Sequence, residues 1–186
     1  SKLQRLLDNS PKVKYEGMPT FTPPAIPKGY FFDGSTGVYQ NADNSKIWIY
    51  PTMRRGGRMI YAFDVTNNTT PVFKWKAGCP NLTDDTGCKT GNTTTSTDMN
   101  GIGQTWSTPQ VAEHIQGYAN PVVIIGGGYD SGSVAAANIN ARNCEDINST
   151  TPSGCSSPEK GAAVYVLDAD TGALVKSFTT PISRSV

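Results

Sequence analysis

The chain has 186 residues, which is long enough for one domain with a hydrophobic core. Its 19 glycines and 13 prolines separate short β-branched and aromatic runs, a composition typical of an all-β protein. The formal net charge of +1 gives no electrostatic reason to expect nucleic acid or an anionic membrane as a partner. No apolar run approaches the roughly 20 residues that a membrane-spanning helix needs, so no membrane span is predicted.

Residues 1–28 are predicted to be a connector, because prolines at positions 19, 23, 24 and 27 exclude a continuous helix or a central strand. The N-terminus lacks the long apolar core of a signal peptide. The chain ends at Val186, just after a new strand-like segment begins. We therefore expect the chain to be a piece of a larger protein.

The first structural unit is predicted at residues 29–78. Its apolar segments are nearly unbroken, which indicates a sheet covered on both faces. Glycine-rich or polar turns separate four such segments, at residues 32–38, 46–50, 57–66 and 72–75.

A basic cluster, Arg54, Arg55 and Arg58, lies in the glycine-rich hairpin of this unit. No aromatic residues interleave with these arginines in the sequence, as they do in many nucleic-acid-binding segments. The sequence therefore predicts a solvated turn here rather than a phosphate or partner site.

A polar loop is predicted at residues 79–103. The run at 89–97 is rich in threonine and can bury almost no apolar surface, so it is expected at the protein surface.

A second unit is predicted at residues 104–180, interrupted by an insertion at 129–160. Its phrase GAAVYVLDADT, at 161–171, repeats the pattern of GRMIYAFDVT, at 57–66. Each phrase follows another apolar run and precedes a third. The repeat predicts two four-stranded antiparallel blades of a β-propeller with long inserted loops.

The four cysteines form two local pairs, Cys79 with Cys88 and Cys144 with Cys155, each within a polar loop. Four cysteines allow three connectivities, and local pairing is favoured because each pair brackets a self-contained insertion. Free thiols and a metal site remain as alternatives, although the single histidine lies far from both pairs. Disulfides would indicate an oxidising compartment, either the periplasm or the exterior.

The long insertion is the predicted contact surface, because binding residues are often found on loops held by a rigid scaffold. A decorative surface loop is an equally weighted alternative. The residues of interest in the insertion are Tyr129, Asp130, Arg142, Glu145 and Asp146.

No catalytic or cofactor-binding motif is complete. The glycines at 126–128 are predicted to form a hairpin, because no helix follows to make a phosphate loop. The segment at 168–172 fails the spacing of a calcium loop and is predicted to be a tight turn. His114 is expected to be a solvated loop residue, and no nucleophile is paired with a base. We therefore expect no enzyme activity, and no metal or cofactor in this chain.

The segments at 30–35, 55–66, 103–111, 123–130 and 168–174 together resemble the C-terminal propeller of the PilY/PilC proteins. These are tip-associated adhesins and assembly factors of bacterial type IV pili, with quinoprotein-like repeats. The resemblance covers roughly residues 29–186. It implies a calcium loop in the parent protein, beyond Val186.

This resemblance implies a role in pilus assembly, twitching motility and surface adhesion. The implied partners are minor pilins at the pilus tip, the remaining propeller blades, and host or abiotic surfaces. The implied location runs from the periplasm and outer membrane to the pilus tip.

Two alternative functions are a quinone-dependent dehydrogenase-like propeller and a scaffold of another secreted complex. The dehydrogenase would need a calcium-bound quinone and a catalytic carboxylate, and it often has two adjacent cysteines. The chain has no adjacent cysteines. The absorbance of a bound quinone would distinguish the enzyme from a binding protein.

Overall fold

The structure is a computed structural model, and it describes residues 30–81, 85–91, 93–129, 160–161 and 163–179. The predicted connector at 1–28, most of the insertion at 129–160, and the pair Cys144 and Cys155 lie outside these residues.

Two four-stranded antiparallel sheets make up the described fold, each with its strands in chain order. The chain is therefore all-β, as its composition predicts. The first sheet contains β1 (Thr36–Gln40), β2 (Ile47–Pro51), β3 (Arg58–Asp64) and β4 (Val72–Cys79). The second contains β5 (Gln110–Ala112), β6 (Val122–Gly126), β7 (Ala163–Asp168) and β8 (Leu174–Thr179).

The opening strand of each sheet is shorter than the sequence predicts. Strand β1 begins at Thr36 rather than at residue 32, and β5 covers only three residues near the end of the predicted segment. The backbone before β5 bonds elsewhere: Gln104 pairs with Tyr129, and the N–H of Thr105 donates to the Gly57 carbonyl at 3.2 Å. These partners leave that segment unable to pair with β6.

The two sheets share one hydrophobic core. Along β1 and β2, buried residues alternate with half-buried or exposed residues. Large aromatic side chains from the first sheet meet aliphatic ones from the second. The buried members include Trp48, Tyr50, Ile60 and Trp75 from the first sheet and Val123, Ile125, Tyr165 and Leu167 from the second.

The turn between β7 and β8 locks the two sheets together. The Tyr50 hydroxyl and the Trp75 indole N–H both donate to the Ala169 carbonyl, at 3.0 and 3.1 Å. Gly172 lies against the Trp75 ring, where a Cβ would stand 2.4 Å from the nearest ring atom. An ion pair between Lys74 and Asp170 closes the same junction at the surface. No helix of the described residues is long and apolar enough to cross a membrane.

Candidate contact surface

The two ends of the long insertion reach the same end of the sheets. Tyr129 lies just after β6, and Lys160 lies just before β7. The described residues therefore show where the insertion is anchored, although Asp130, Arg142, Glu145 and Asp146 lie outside them.

The first anchor is formed by Tyr129. Its backbone exchanges two hydrogen bonds with Gln104, at 2.7 and 2.9 Å. Its ring contacts the Trp106 ring edge to face, with centroids 6.2 Å apart. The Trp106 indole N–H donates to the Gln104 side chain at 3.2 Å, yet the residue remains 40% exposed. A large aromatic side chain is thus held in one orientation at the surface.

The guanidinium of Arg54 lies over the Trp106 ring, 4.2 Å from its centroid. The backbone of Arg54 has a φ of 47°, a left-handed conformation that costs a residue other than glycine about 1–2 kcal/mol. The buried hydroxyl of Thr105 helps to hold it there, since its oxygen accepts the N–H groups of Met53 and Arg54 at 3.0 and 3.3 Å.

Arg55 lies beside this stack. Its Nε donates to the Asp33 carboxylate at 2.5 Å, and its guanidinium lies 4.3 Å from the Tyr30 ring centroid. We use the term arginine–aromatic surface for Tyr30, Arg54, Arg55, Trp106 and Tyr129.

The predicted solvated turn is wrong for Arg58, which is buried, whereas Arg55 is exposed as predicted. Tyr30 and Trp106 are distant from Arg54 and Arg55 in sequence, but the fold brings their rings against the two guanidinium groups. Arg58 is not part of the surface at all, because its side chain is only 2% exposed.

The second anchor is an ionic network at Lys160. The Lys160 ammonium donates to the Asp85 carboxylate and to the Asn100 carbonyl, each at 2.7 Å. The next residue, Gly161, donates its N–H to the Gly101 carbonyl at 2.8 Å. The predicted loop at 79–103 and the end of the predicted insertion are therefore in direct contact.

The buried guanidinium of Arg58 completes this network. It donates to the other oxygen of Asp85 at 2.7 Å and to the carbonyls of Ile102, Asn81 and Asn100, at 2.7, 3.1 and 3.1 Å. Burial alone would raise the pKa of Asp85, but the hydrogen bonds from Lys160 and Arg58 outweigh it and lower that pKa. One carboxylate thus pairs with two cations at neutral pH, and the three groups together keep a net charge of +1.

A disulfide between Cys79 and Cys88 closes the loop that carries Asp85, so this predicted local pair is present. Both cysteines are buried. Their sulfur atoms and a carboxylate oxygen of Asp85 lie within 4.8 Å of one another, a spacing that could suit a metal. Sulfur atoms in a disulfide are not thiolates, however, and only the thiolate is a good metal ligand. The geometry therefore favours a structural disulfide over a metal site.

The Asp168 segment is a tight turn, as predicted. One carboxylate oxygen of Asp168 accepts the backbone N–H groups of Asp170 and Thr171, at 2.9 and 2.7 Å. The other accepts the Tyr118 hydroxyl at 2.6 Å and the Asn120 amide at 3.1 Å. Protein donors thus occupy both oxygens, in the pattern of a capped turn. His114 is exposed in the loop between β5 and β6.

Neither the Arg54–Trp106 stack nor the Asp85–Lys160 pair was predicted from the sequence. Both join residues that are far apart along the chain and follow no periodic pattern. The sequence offers only weak local signals for these contacts: Trp106 lies in a polar segment, and Asp85 lies between the two cysteines of the loop.

The fold and the repeated phrase define an all-β protein built from two related four-stranded units that share one core. No family profile matches the chain, and no curated protein sequence does so either. Among solved structures, the fold is similar to the crystal structure of the Pseudomonas aeruginosa PilY1 C-terminal domain, with a TM-score of 0.50. The similarity covers 83% of this chain at 18% sequence identity, and the matched part is 23% of that chain.

Proposed function

We propose that this chain is a segment of a β-propeller in a type IV pilus biogenesis factor or tip adhesin, and that it acts by binding rather than by catalysis. The observation that carries the proposal is the PilY1-like fold, together with the motifs that resemble the PilY/PilC propeller. On this proposal the chain holds no cofactor of its own, and the calcium of the parent protein is bound beyond Val186.

The arrangement of apolar residues supports a propeller. The turn aspartates align the two units: Asp64 in β3 corresponds to Asp168 in β7. With this alignment, the strand registers define a row of four side chains across each sheet, and the two rows occupy corresponding positions. These rows are Val38, Ile49, Phe63 and Phe73 in the first sheet, and Val111, Val123, Leu167 and Leu174 in the second.

The row of the second sheet belongs to the shared core, with Val123 and Leu167 fully buried. The row of the first sheet is apolar as well, yet Val38 is 55% and Phe73 50% exposed among the described residues. The exposed face of the first sheet is as apolar as the corresponding face of the second sheet, which the first sheet covers. A further four-stranded unit could cover the exposed face in the same way, as in a propeller whose blades pack side by side. The remaining blades of the parent protein are therefore proposed as the first partners.

The proposed location is the cell surface at the pilus tip, reached through the periplasm. The Cys79–Cys88 disulfide agrees with this location, because such bonds persist in oxidising compartments. The further proposed partners are minor pilins and, beyond the pilus, host or abiotic surfaces. The insertion at 129–160 is the proposed contact loop, anchored through Tyr129 and Lys160.

Deletion of residues 131–157 from the full-length protein tests the role of the insertion. The anchors at both ends of the insertion are retained, and the matched control shortens the exposed turn at residues 67–70, at the opposite end of β3. We expect fewer surface pili and reduced twitching motility and adhesion for the deletion, with normal pili for the control. Circular dichroism and intact-mass analysis would show that both variants remain folded and oxidised.

Normal pili, motility and adhesion in the folded deletion variant would remove the insertion from the mechanism. The pilus assignment itself is tested by deleting the whole protein, and unchanged pili and motility in that strain would contradict it. A quinone absorbance band in the purified protein would contradict the non-enzymatic proposal.

A further inference from the structure

Arg54 occupies a position that its backbone does not favour. Its φ of 47° suits glycine or asparagine better than arginine. The backbone here is held by hydrogen bonds from the Met53 and Arg54 N–H groups to Thr105, which do not involve the arginine side chain. The side chain of Arg54 instead extends over the ring of Trp106 at the surface.

The charge of Arg54 is not neutralised by any carboxylate of the described residues. Its neighbour Arg55 is paired with Asp33 at 2.5 Å, whereas the described residues place no carboxylate within 4 Å of the Arg54 guanidinium. The planar guanidinium keeps N–H groups available at its edge while one face covers the indole. This is the geometry in which arginine pairs with a carboxylate through two parallel hydrogen bonds.

The side chains around Arg54 are already held in place. Thr105 is fully buried and fixes the backbone, and Gln104 receives the indole N–H of Trp106. The Tyr129 ring also contacts the indole, edge to face. A surface that is ordered before binding loses little conformational entropy when a partner docks.

The composition fits a protein partner better than a sugar. Tryptophan, tyrosine and arginine are the residues most enriched at the energetic centres of protein interfaces. A sugar would need an open aromatic face for stacking, but the Arg54 guanidinium covers one face of Trp106 and Tyr129 contacts the ring as well. What remains open is an unneutralised cation beside a half-exposed indole.

We propose that the arginine–aromatic surface binds an acidic protein segment, in which a carboxylate pairs with Arg54 and an adjacent apolar side chain packs on the exposed part of Trp106. This binding does not require that the protein act at a pilus or that the insertion make contacts of its own.

The test measures binding of a fluorescent peptide of alternating glutamate and leucine to the full chain, with a lysine–leucine peptide of equal length as the charge control. Arg54→Gly is the informative variant, because glycine accepts the left-handed backbone and should leave the melting temperature unchanged or higher. We expect this variant to bind the acidic peptide about tenfold more weakly. Trp106→Ala should weaken binding to a similar degree.

Lys176→Gln is the matched control. Lys176 is also an exposed cation near an aromatic ring, 6.0 Å from the centroid of Phe178. It lies on β8 and is not part of the arginine–aromatic surface. The Lys176→Gln variant should bind the acidic peptide as tightly as the unmodified chain does. The proposal is overturned if Arg54→Gly binds normally, if Lys176→Gln loses binding equally, or if both peptides bind equally well. Binding of an oligouronate in preference to the acidic peptide would identify a carbohydrate site instead and would also overturn it.

Discussion

Replacement of Asp85 by asparagine should lower the free energy of unfolding by about 2–3 kcal/mol. The carboxylate accepts one hydrogen bond from Arg58 and one from Lys160, both 2.7 Å long. Breaking a buried ion pair costs roughly 3–5 kcal/mol, because the remaining charge is left buried without a counterion. The Asp85 side chain is 29% exposed, and Arg58 keeps three carbonyl acceptors, so we expect a loss at or just below the lower end of that range.

Urea-induced unfolding of the oxidised protein at low ionic strength measures this change, because urea is uncharged and does not screen the ion pairs. Asp98→Asn is the matched control, since Asp98 is an exposed aspartate of the same loop and makes no ion pair with a described residue. Its stability should stay within about 0.5 kcal/mol of the unmodified protein. If Asp85→Asn lowers the free energy of unfolding no more than Asp98→Asn does, the Asp85 carboxylate is not needed to stabilise the buried Arg58 charge.

The same carboxylate predicts a pH dependence. The pKa of Asp85 is lowered in the folded protein because the hydrogen bonds from Lys160 and Arg58 outweigh the effect of burial. Its contribution to stability is therefore fully present above the unfolded pKa of about 4 and is lost as the pH falls through the lower folded pKa. The stabilities of the unmodified protein and of Asp85→Asn should converge below about pH 4. A gap that stayed constant with pH would show that the loss is not electrostatic.

Two further changes probe the junction between the sheets and the cysteine loop. Gly172→Ala should destabilise the fold by at least about 2 kcal/mol more than Gly117→Ala in thermal melts. Both glycines have a positive φ, 71° and 82°, but only Gly172 lies against the Trp75 ring, while a Cβ at Gly117 meets open space. Equal losses of stability would mean that a Cβ at position 172 does not clash with Trp75. Replacing Cys79 and Cys88 together by alanine should cost about 2.5–3 kcal/mol under non-reducing conditions, as expected for a closed loop of about ten residues. A double variant as stable as the oxidised protein would show that the disulfide does not restrict the unfolded chain.

Several features of this protein were determined by the sequence alone. The repeated phrase and its flanking apolar runs predict the two four-stranded sheets, because one strand face must be apolar wherever a sheet covers a core. The tight turn at Asp168 follows from side-chain oxygens and a glycine at fixed offsets. The Cys79–Cys88 disulfide follows from two cysteines close together in a polar loop. All of these depend on interactions between residues that are near in sequence or recur with a simple period.

The roles of the arginines were decided only by the tertiary structure. In the sequence, Arg54, Arg55 and Arg58 are three cations of one hairpin, yet the fold stacks Arg54 on Trp106, pairs Arg55 with Asp33 and buries Arg58 against Asp85. These outcomes depend on which loops meet at one end of the two sheets. A guanidinium has no preferred neighbour in sequence, since its partners are carboxylates, carbonyls and ring faces that the strands bring together from distant positions. Side-chain chemistry defines what an arginine can bind, and strand order and register determine which of those partners lie within reach.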